Sequence, residues 1–376
     1  MIPRLLLNTI SKAVKPGRVW LLLGARRVGK TVLVKEHIQR SKSRWLEGHG
    51  EDAAMADLLE SRSAERIRQV FAGYEGFFLD EAQSVPRVGQ ALKLIVDTLP
   101  ELKVIATGSS SFRLDQLMGQ PLTGRRTVAH LHPVAATELA EWKGPLAPNG
   151  LLEDLLLYGS YPEVMTISTP AARRDYLRQL VEDYLFQDIL AFEQLRNPRK
   201  LRDLTTLVAH QVGSELSLNE LANALQINKA TVERYLDLLE KNFVLFRVGG
   251  FSRNLRKEVT KSMRYYFVDC GIRNAIIDQF QPLKLRPDLG ALWESFVVNE
   301  RKRKIEYTAM DRKAYFWRTY DQQEIDRVEV DTEGQMEGFE CKWKEKAYKP
   351  PAAWSKAYPD SPIHLVHSKN FMTYLG

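Results

Sequence analysis

The chain has 376 residues, 44% of them hydrophobic, enough for two or three cores at roughly 100–200 residues per domain. Its 54 basic residues against 47 acidic ones leave a net charge of +7, compatible with a polyanionic partner without requiring one. No apolar run approaches the ~18 residues of a membrane span and Leu5–Leu7 is too short for a signal-peptide core, so a cytoplasmic protein with no membrane partner is expected, and the two cysteines, Cys270 and Cys341, make neither a disulfide framework nor a CxxC zinc pattern.

Val19–Leu23 is a five-residue apolar run of the kind buried on both faces of a parallel sheet. Directly after it, Gly24, Ala25, Arg26, Arg27, Val28, Gly29, Lys30 and Thr31 spell GxxxxGKT, with Val32 next. This spacing lets successive backbone N–H groups point inward around a phosphate while the following helix offers its positive N-terminus. ATP is therefore the expected ligand of residues 24–32, with Lys30 on the β and γ phosphates and Thr31 supplying a hydroxyl to Mg²⁺.

Phe77, Phe78 and Leu79 precede two adjacent acids. Asp80 is expected to hold the Mg²⁺ water shell at the tip of a second buried strand, and Glu81 to orient or deprotonate the attacking water. Residues 102–111 read as a strand and a serine-rich turn. If this strand is inserted between the two motif strands, Thr107 or Ser109 faces the γ phosphate; ordinary turn chemistry is the competing reading. Leu122–Arg126, LTGRR, precedes the expected strand Thr127–Leu131. Arg125 is the candidate charge-stabilising arginine, acting in cis or from a neighbouring subunit of an oligomer, with a solvated surface arginine as the alternative.

The segments GARRVGKT, FLDEAQ, ATGSSS and LTGRR, in this order, resemble AAA-like ATPases of bacteria and archaea in which a P-loop domain is fused to a C-terminal region of formerly unknown function. The resemblance implies an ATPase core with an inserted strand beside the P-loop strand. Arg27 stands where many members have glutamine, a departure of little consequence because that side chain points away from the phosphate-cradling backbone.

Gly144–Gly150, GPLAPNG, with two prolines and two glycines, is the clearest break in the chain. Beyond it, Leu151–Met165 and Ala171–Phe192 have helical spacing, with Tyr176, Leu180, Tyr184 and Ile189 on an inner face. Tyr158–Val164, YGSYPEV, also resembles the family and is expected either to shape a hinge or to be a turn between helices. Ser217 and Glu220 form a capping-box pattern opening a helix through Leu225, and Asn228 can cap a second helix that turns Val232, Tyr235, Leu236 and Leu239 inward. With Val244–Val248 and Arg264–Val268 as paired strands, this is the pattern of a winged helix-turn-helix. Its second helix balances Lys229, Arg234 and Lys241 against Glu233, Asp237 and Glu240, so a DNA or RNA partner would be met through the basic wing, Arg253, Arg256, Lys257 and Lys261. A purely structural or protein-contacting winged helix is the alternative.

After Pro282–Pro287, Glu294 shares a helix face with Ala291 and Val298. Glu324-x-Asp326 and Glu340-x-Lys342 follow on expected strands. This order, within WESFVVNE, EID and ExK, resembles the PD-(D/E)xK nuclease-like fold. The resemblance implies Asp326 and Glu340 as metal ligands, Glu294 as a helix-borne accessory acid at the metal and Lys342 as the catalytic lysine. An ordinary polar sheet face is the competing reading.

The expected architecture is α/β: a P-loop NTPase domain with a parallel sheet over 1–145, a helical and winged-helix domain over 150–281, and an α/β PD-(D/E)xK nuclease-like domain over 288–376. The expected function is a Mg²⁺-dependent ATPase that couples nucleotide state to the downstream modules acting on nucleic acid. The alternative is a regulatory ATPase with a protein partner and an inactive nuclease-like domain.

Overall fold

The apolar run at Val19–Leu23 forms strand β1, and all five of its side chains are buried. The computed structural model describes residues 2–109, 122–183, 197–252 and 263–376. It separates into two units, residues 3–133 with 241–243, and residues 134–240 with 244–376.

In the first unit, β1 is joined by β2 (Trp45–His49), β3 (Gly76–Asp80), β4 (Lys103–Gly108) and β5 (Arg126–His130) in the order β2-β3-β4-β1-β5. Every pairing is parallel, so all five strands end at one edge. The inner strands β1 and β3 are fully buried while the outer strands β2 and β5 are only partly so, which is why the inner ones read as unbroken apolar runs. β4 lies between β1 and β3, as the resemblance implied. Val19, Leu21, Leu23, Phe77 and Leu79 pack with Leu92, Ile95 and Val96 of the helix Val88–Thr98 on one face of this sheet. At the strand-end edge, Leu23 pairs with Gly108 and His130, and His49 pairs with Asp80. The loop after β1 and the acids at the end of β3 therefore emerge side by side, separated only by the tip of β4.

The second unit holds β6 (Leu245–Gly250), β7 (Met263–Phe267), β8 (Arg312–Arg318), β9 (Glu324–Asp331), β10 (Met336–Cys341) and β11 (Ile363–Val366). Their order is β11-β10-β9-β8-β6-β7. β6 and β7 are antiparallel, as expected of the paired strands, and β6 also pairs parallel with β8 through Gly249 and Gly250. The strands of the middle segment and of the C-terminal segment thus share one sheet. The 19-residue helix Leu289–Tyr307 buries Trp293, whose indole packs against Phe296, Trp343 and Phe371.

Tyr158–Val164 is built into this unit. Gly159 takes φ 72, ending the helix Leu152–Tyr158 well before Met165, and a Cβ there would come within 1.9 Å of the Asp269 carboxylate. Asp269 caps the helix Cys270–Ile276 and accepts the Ser160 N–H at 2.8 Å. Arg303 donates to the carbonyls of Val134 and Val268 and to the Ser160 hydroxyl. Ala136 N–H reaches Glu300 at 2.8 Å, which ties the helix Ala136–Lys143 into the second unit ahead of the Gly144–Gly150 break. No described helix is long and apolar enough to cross a membrane.

Candidate functional site

The loop after β1 is shaped by backbone constraints that its sequence meets. A Cβ on Gly24 would sit 2.2 Å from the Leu131 carbonyl oxygen, so only glycine permits this approach of β1 to the chain beyond β5. Arg27 and Gly29 both have positive φ, 62° and 97°, curling the loop into a concave run of N–H groups at the start of the helix Lys30–Ser41. Ala25 and Val28 are buried, Gly29 and Arg26 partly so, and Arg27 and Val32 are exposed. Below the loop, the buried Arg4 donates to the Val28 carbonyl at 2.9 Å and to the His132 carbonyl.

Lys30 is almost completely buried, and its Nζ donates to the carbonyls of Gly24 and Ala25, each at 3.0 Å. Burial pulls its ammonium down to about 8, against the opposing pull of Glu81 and Asp80. Thr31 Oγ1 donates to Asp80 Oδ2 at 2.7 Å, and the Thr107 hydroxyl donates to Asp80 Oδ1. Both carboxylate oxygens of Asp80 are thereby fixed. The same Thr107 oxygen accepts the Glu81 N–H at 3.0 Å.

Glu81 has φ 50, a left-handed conformation that turns the chain sharply at the end of β3. The turn is enclosed: a Cβ on Gly50 would lie 2.3 Å from the Glu81 carbonyl oxygen. Ser109 Oγ donates to Glu81 Oε2 at 3.2 Å, and Gln83 Nε2 donates to the same oxygen and to Ser109 Oγ. The tips of β3 and β4 are thus joined at two places, through Thr107 and through Ser109.

Arg125 is elsewhere. Its carbonyl accepts the Val19 N–H at 2.9 Å, and its Nε meets Asp97 at 2.7 Å. Val19 begins the strand whose other end leads to Gly24, and at ~3.3 Å per residue the two edges are roughly 13 Å apart. The cis role expected of Arg125 is therefore corrected: in this unit it serves a half-exposed ion pair at the opposite edge of the sheet.

A second constellation lies in the second unit. Glu294, on the helix Leu289–Tyr307, accepts the Tyr266 hydroxyl at 2.7 Å and faces Arg264 Nη1 at 3.5 Å. Arg264 Nη2 bonds Glu324 at 2.8 Å, and its Nη1 stands 4.0 Å from Asp326. Asp326 accepts the Cys341 N–H at 2.8 Å, and Lys342 pairs with Glu340 at 2.7 Å. Burial, with the neighbouring Asp326 charge adding to it, pushes Glu294 up to about 8 and Glu340 up to about 7. Burial also raises Asp326. It works against the Lys342 ammonium, which Glu340 and Asp326 nevertheless hold above its ordinary value. Among the described residues, no group of three or more His, Cys, Asp or Glu is arranged as it stands to hold a metal ion.

Residues 16–140 match a family model described as an AAA domain. This stretch is similar to AAA domains. Two further models, both described as domains of unknown function, DUF8612 and DUF4143, match residues 149–283 and 289–369. An uncharacterized protein of Mycobacterium tuberculosis is 26% identical over 340 residues, which is 89% of this chain and 72% of that protein. One of Methanocaldococcus jannaschii is 22% identical over 311 residues, 77% of this chain and 67% of that protein. Among solved structures, the Thermotoga maritima RuvB Holliday junction branch migration motor is 20% identical, covering 65% of this chain and 86% of its own, with a TM-score of 0.29.

In the segment expected to be a winged helix, Asn228 Oδ1 accepts the Thr231 N–H at 2.7 Å at the start of the helix Lys229–Lys241, and Val232, Tyr235, Leu236 and Leu239 are buried. The wing cations Arg253, Arg256, Lys257 and Lys261 lie outside the described residues, as do Tyr184 and Ile189. Sequence reasoning missed Arg4, Gln83, Arg264 and Tyr266 as participants. Only the last pair left a signal: alternation along β7 puts Arg264 and Tyr266 on the same face.

Proposed function

We propose that this chain is a Mg²⁺-dependent ATPase whose second unit responds to the nucleotide state of the first. The observation that carries the proposal is the hydrogen-bonded sequence Thr31–Asp80–Thr107–Glu81 beside a glycine-bounded loop. Thr31 and Asp80 fit a Mg²⁺ ion, since a hydroxyl and a carboxylate oxygen already meet at the start of the helix that follows the loop. When bound there, Mg²⁺ would neutralise charge on the β and γ phosphates.

The loop N–H groups and the positive end of the helix Lys30–Ser41 receive the phosphates. Lys30 exchanges the Gly24 and Ala25 carbonyls for phosphate oxygens, which restores a full counter-charge to its buried ammonium. Glu81 accepts the proton of the attacking water. Ser109 and Gln83 hold its Oε2, leaving Oε1 to take that proton. Thr107 couples the metal-facing acid to the water-facing one. The deciding experiment is ATP turnover by the wild type and by Lys30→Ala, where equal rates would end the ATPase reading.

The helix pair Leu218–Leu225 and Lys229–Lys241 with the β6–β7 hairpin supports a winged helix, and with it a nucleic-acid-directed ATPase. The contact of Arg264 with three carboxylates favours a second reading, a regulatory ATPase whose nuclease-like part does not cut. ATPase rates with and without DNA or RNA at two salt concentrations separate the two. Stimulation that fades with salt supports the first, and nucleotide-dependent association with a protein, insensitive to DNA, supports the second.

A further inference from the structure

Glu294, Glu324 and Asp326 reach one place in the second unit from a helix and a strand, and what they meet there is a side chain of a third element. Arg264 projects from β7 with only 3% of its surface exposed. One guanidinium nitrogen faces Glu294 at 3.5 Å and Asp326 at 4.0 Å, and the other bonds Glu324 at 2.8 Å. Its planar group is backed by the Phe316 ring, 4.5 Å from the centroid, on a strand next to the one carrying the two β9 acids.

We propose that Arg264 is the built-in cation of this cluster, standing where a divalent metal would have to bind, so that residues 294–342 hold no catalytic metal and the guanidinium instead fastens the β6–β7 hairpin to the C-terminal sheet and helix. This conclusion goes beyond the ATPase reading and does not depend on it. Three observations carry it. A guanidinium and a divalent ion compete for these carboxylate oxygens and repel each other. Glu294 is further committed to the Tyr266 hydroxyl, and a Cβ on Gly213 would come within 3.0 Å of its Oε1, so the chain already closes on that oxygen. Asp326 accepts the Cys341 N–H through Oδ2 and Glu340 pairs with Lys342, so both acids already have partners from the chain.

The cluster is also a junction. Removing Arg264 would leave several buried acids without their counter-charge, while removing one acid would leave the guanidinium with two others. The arginine is therefore the element on which the rest depends.

The test is Mn²⁺ titration of the nucleotide-free full chain by calorimetry and by thermal unfolding, for the wild type, Asp326→Asn, Arg264→Gln and Arg264→Lys. The wild type and Asp326→Asn are expected to give the same Mn²⁺ response, because Asp326 is not a metal ligand. Arg264→Gln is expected to gain saturable Mn²⁺ binding and a Mn²⁺-dependent rise in Tm, and Arg264→Lys, which keeps a cation, is expected to gain neither. Saturable binding by the wild type that Asp326→Asn abolishes would overturn the proposal. So would an Arg264→Gln protein that folds and gains nothing. Should Arg264→Gln fail to fold, the wild type against Asp326→Asn still decides. ATP turnover measured on the same wild-type preparation reports separately on the first unit, so its loss would leave this conclusion intact.

Discussion

Thr31 and Asp80 are joined by a 2.7 Å hydrogen bond although 49 positions separate them in the chain. The bond exists because β1 and β3 are parallel and end at the same edge, with β4 between them. Thr107, at the tip of that inserted strand, completes the arrangement by holding the other oxygen of Asp80 and the N–H of Glu81. Thr107→Val keeps the volume and removes the hydroxyl. It is expected to lower kcat for ATP hydrolysis on the order of tenfold to hundredfold, with KM changing much less, as read from steady-state turnover.

Glu81 and Lys30 should fail in different ways. Glu81→Gln retains the hydrogen-bonding shape but cannot take a proton, so a loss of about 10²–10⁴ in kcat is expected with nucleotide still bound. Lys30→Ala removes the charge proposed to face the phosphates and should weaken binding itself severely. Equilibrium binding of a fluorescent nucleotide beside turnover distinguishes them, and normal turnover in Glu81→Gln would remove Glu81 from the role of base.

Arg4 supports the loop from outside the motif, through Val28 on one side and His132 on the other. Arg4→Ala leaves two carbonyls without that donor, a cost of about 1–3 kcal/mol if they stay buried. Because Val28 precedes the phosphate-facing Gly29, KM for ATP should rise more than kcat falls, and Arg4→Lys should restore part of it. A fall in Tm with unchanged KM would reduce Arg4 to a purely structural residue.

Lys30 gives a pH dependence with a definite sign. In the folded chain its ammonium titrates at about 8, below the ordinary 10.5, because burial disfavours the charged form. Below about pH 8 the folded protein carries that buried charge at a cost. Between the two values the unfolded chain binds the extra proton, so this group's contribution to stability rises with pH through that window. Nucleotide binding runs the other way, since phosphates need the protonated form. Affinity for ATP should fall as pH rises through about 8, and the fall should be absent from the residual binding of Lys30→Met.

Arg125→Ala tests the topology directly. Its ion pair with Asp97 is half-exposed and at the far edge of the sheet, so a stability loss within about 0–1 kcal/mol is expected. Turnover at low protein concentration should be unchanged. A large loss would place Arg125 in the site of a neighbouring subunit, and mixing Arg125→Ala with Glu81→Gln chains would then restore activity.

Much of the first unit was legible in the residues because its chemistry is local. The glycines, Lys30 and Thr31 lie within one loop, and Asp80 and Glu81 are adjacent at the end of a fully buried strand, so period and spacing were enough to read them. Even the strand between β1 and β3 followed from a resemblance carried by short segments. The cis alternative for Arg125 fails because the residue precedes β5, and the register of Val19 with Arg126 puts the start of that strand at the edge away from Gly24.

The second unit shows the same division more sharply. Sequence by itself placed Glu294 on a helix and Asp326 and Glu340 on strands, whereas Lys342, expected on the third strand, follows its end at Cys341. Tertiary structure alone decided what those acids face, because β7 reaches them from a segment that precedes the helix, and a carboxylate's partner is set by which charge is brought within a few ångströms of it. In the first unit the acids remain beside a phosphate-binding loop; in the second they meet Arg264.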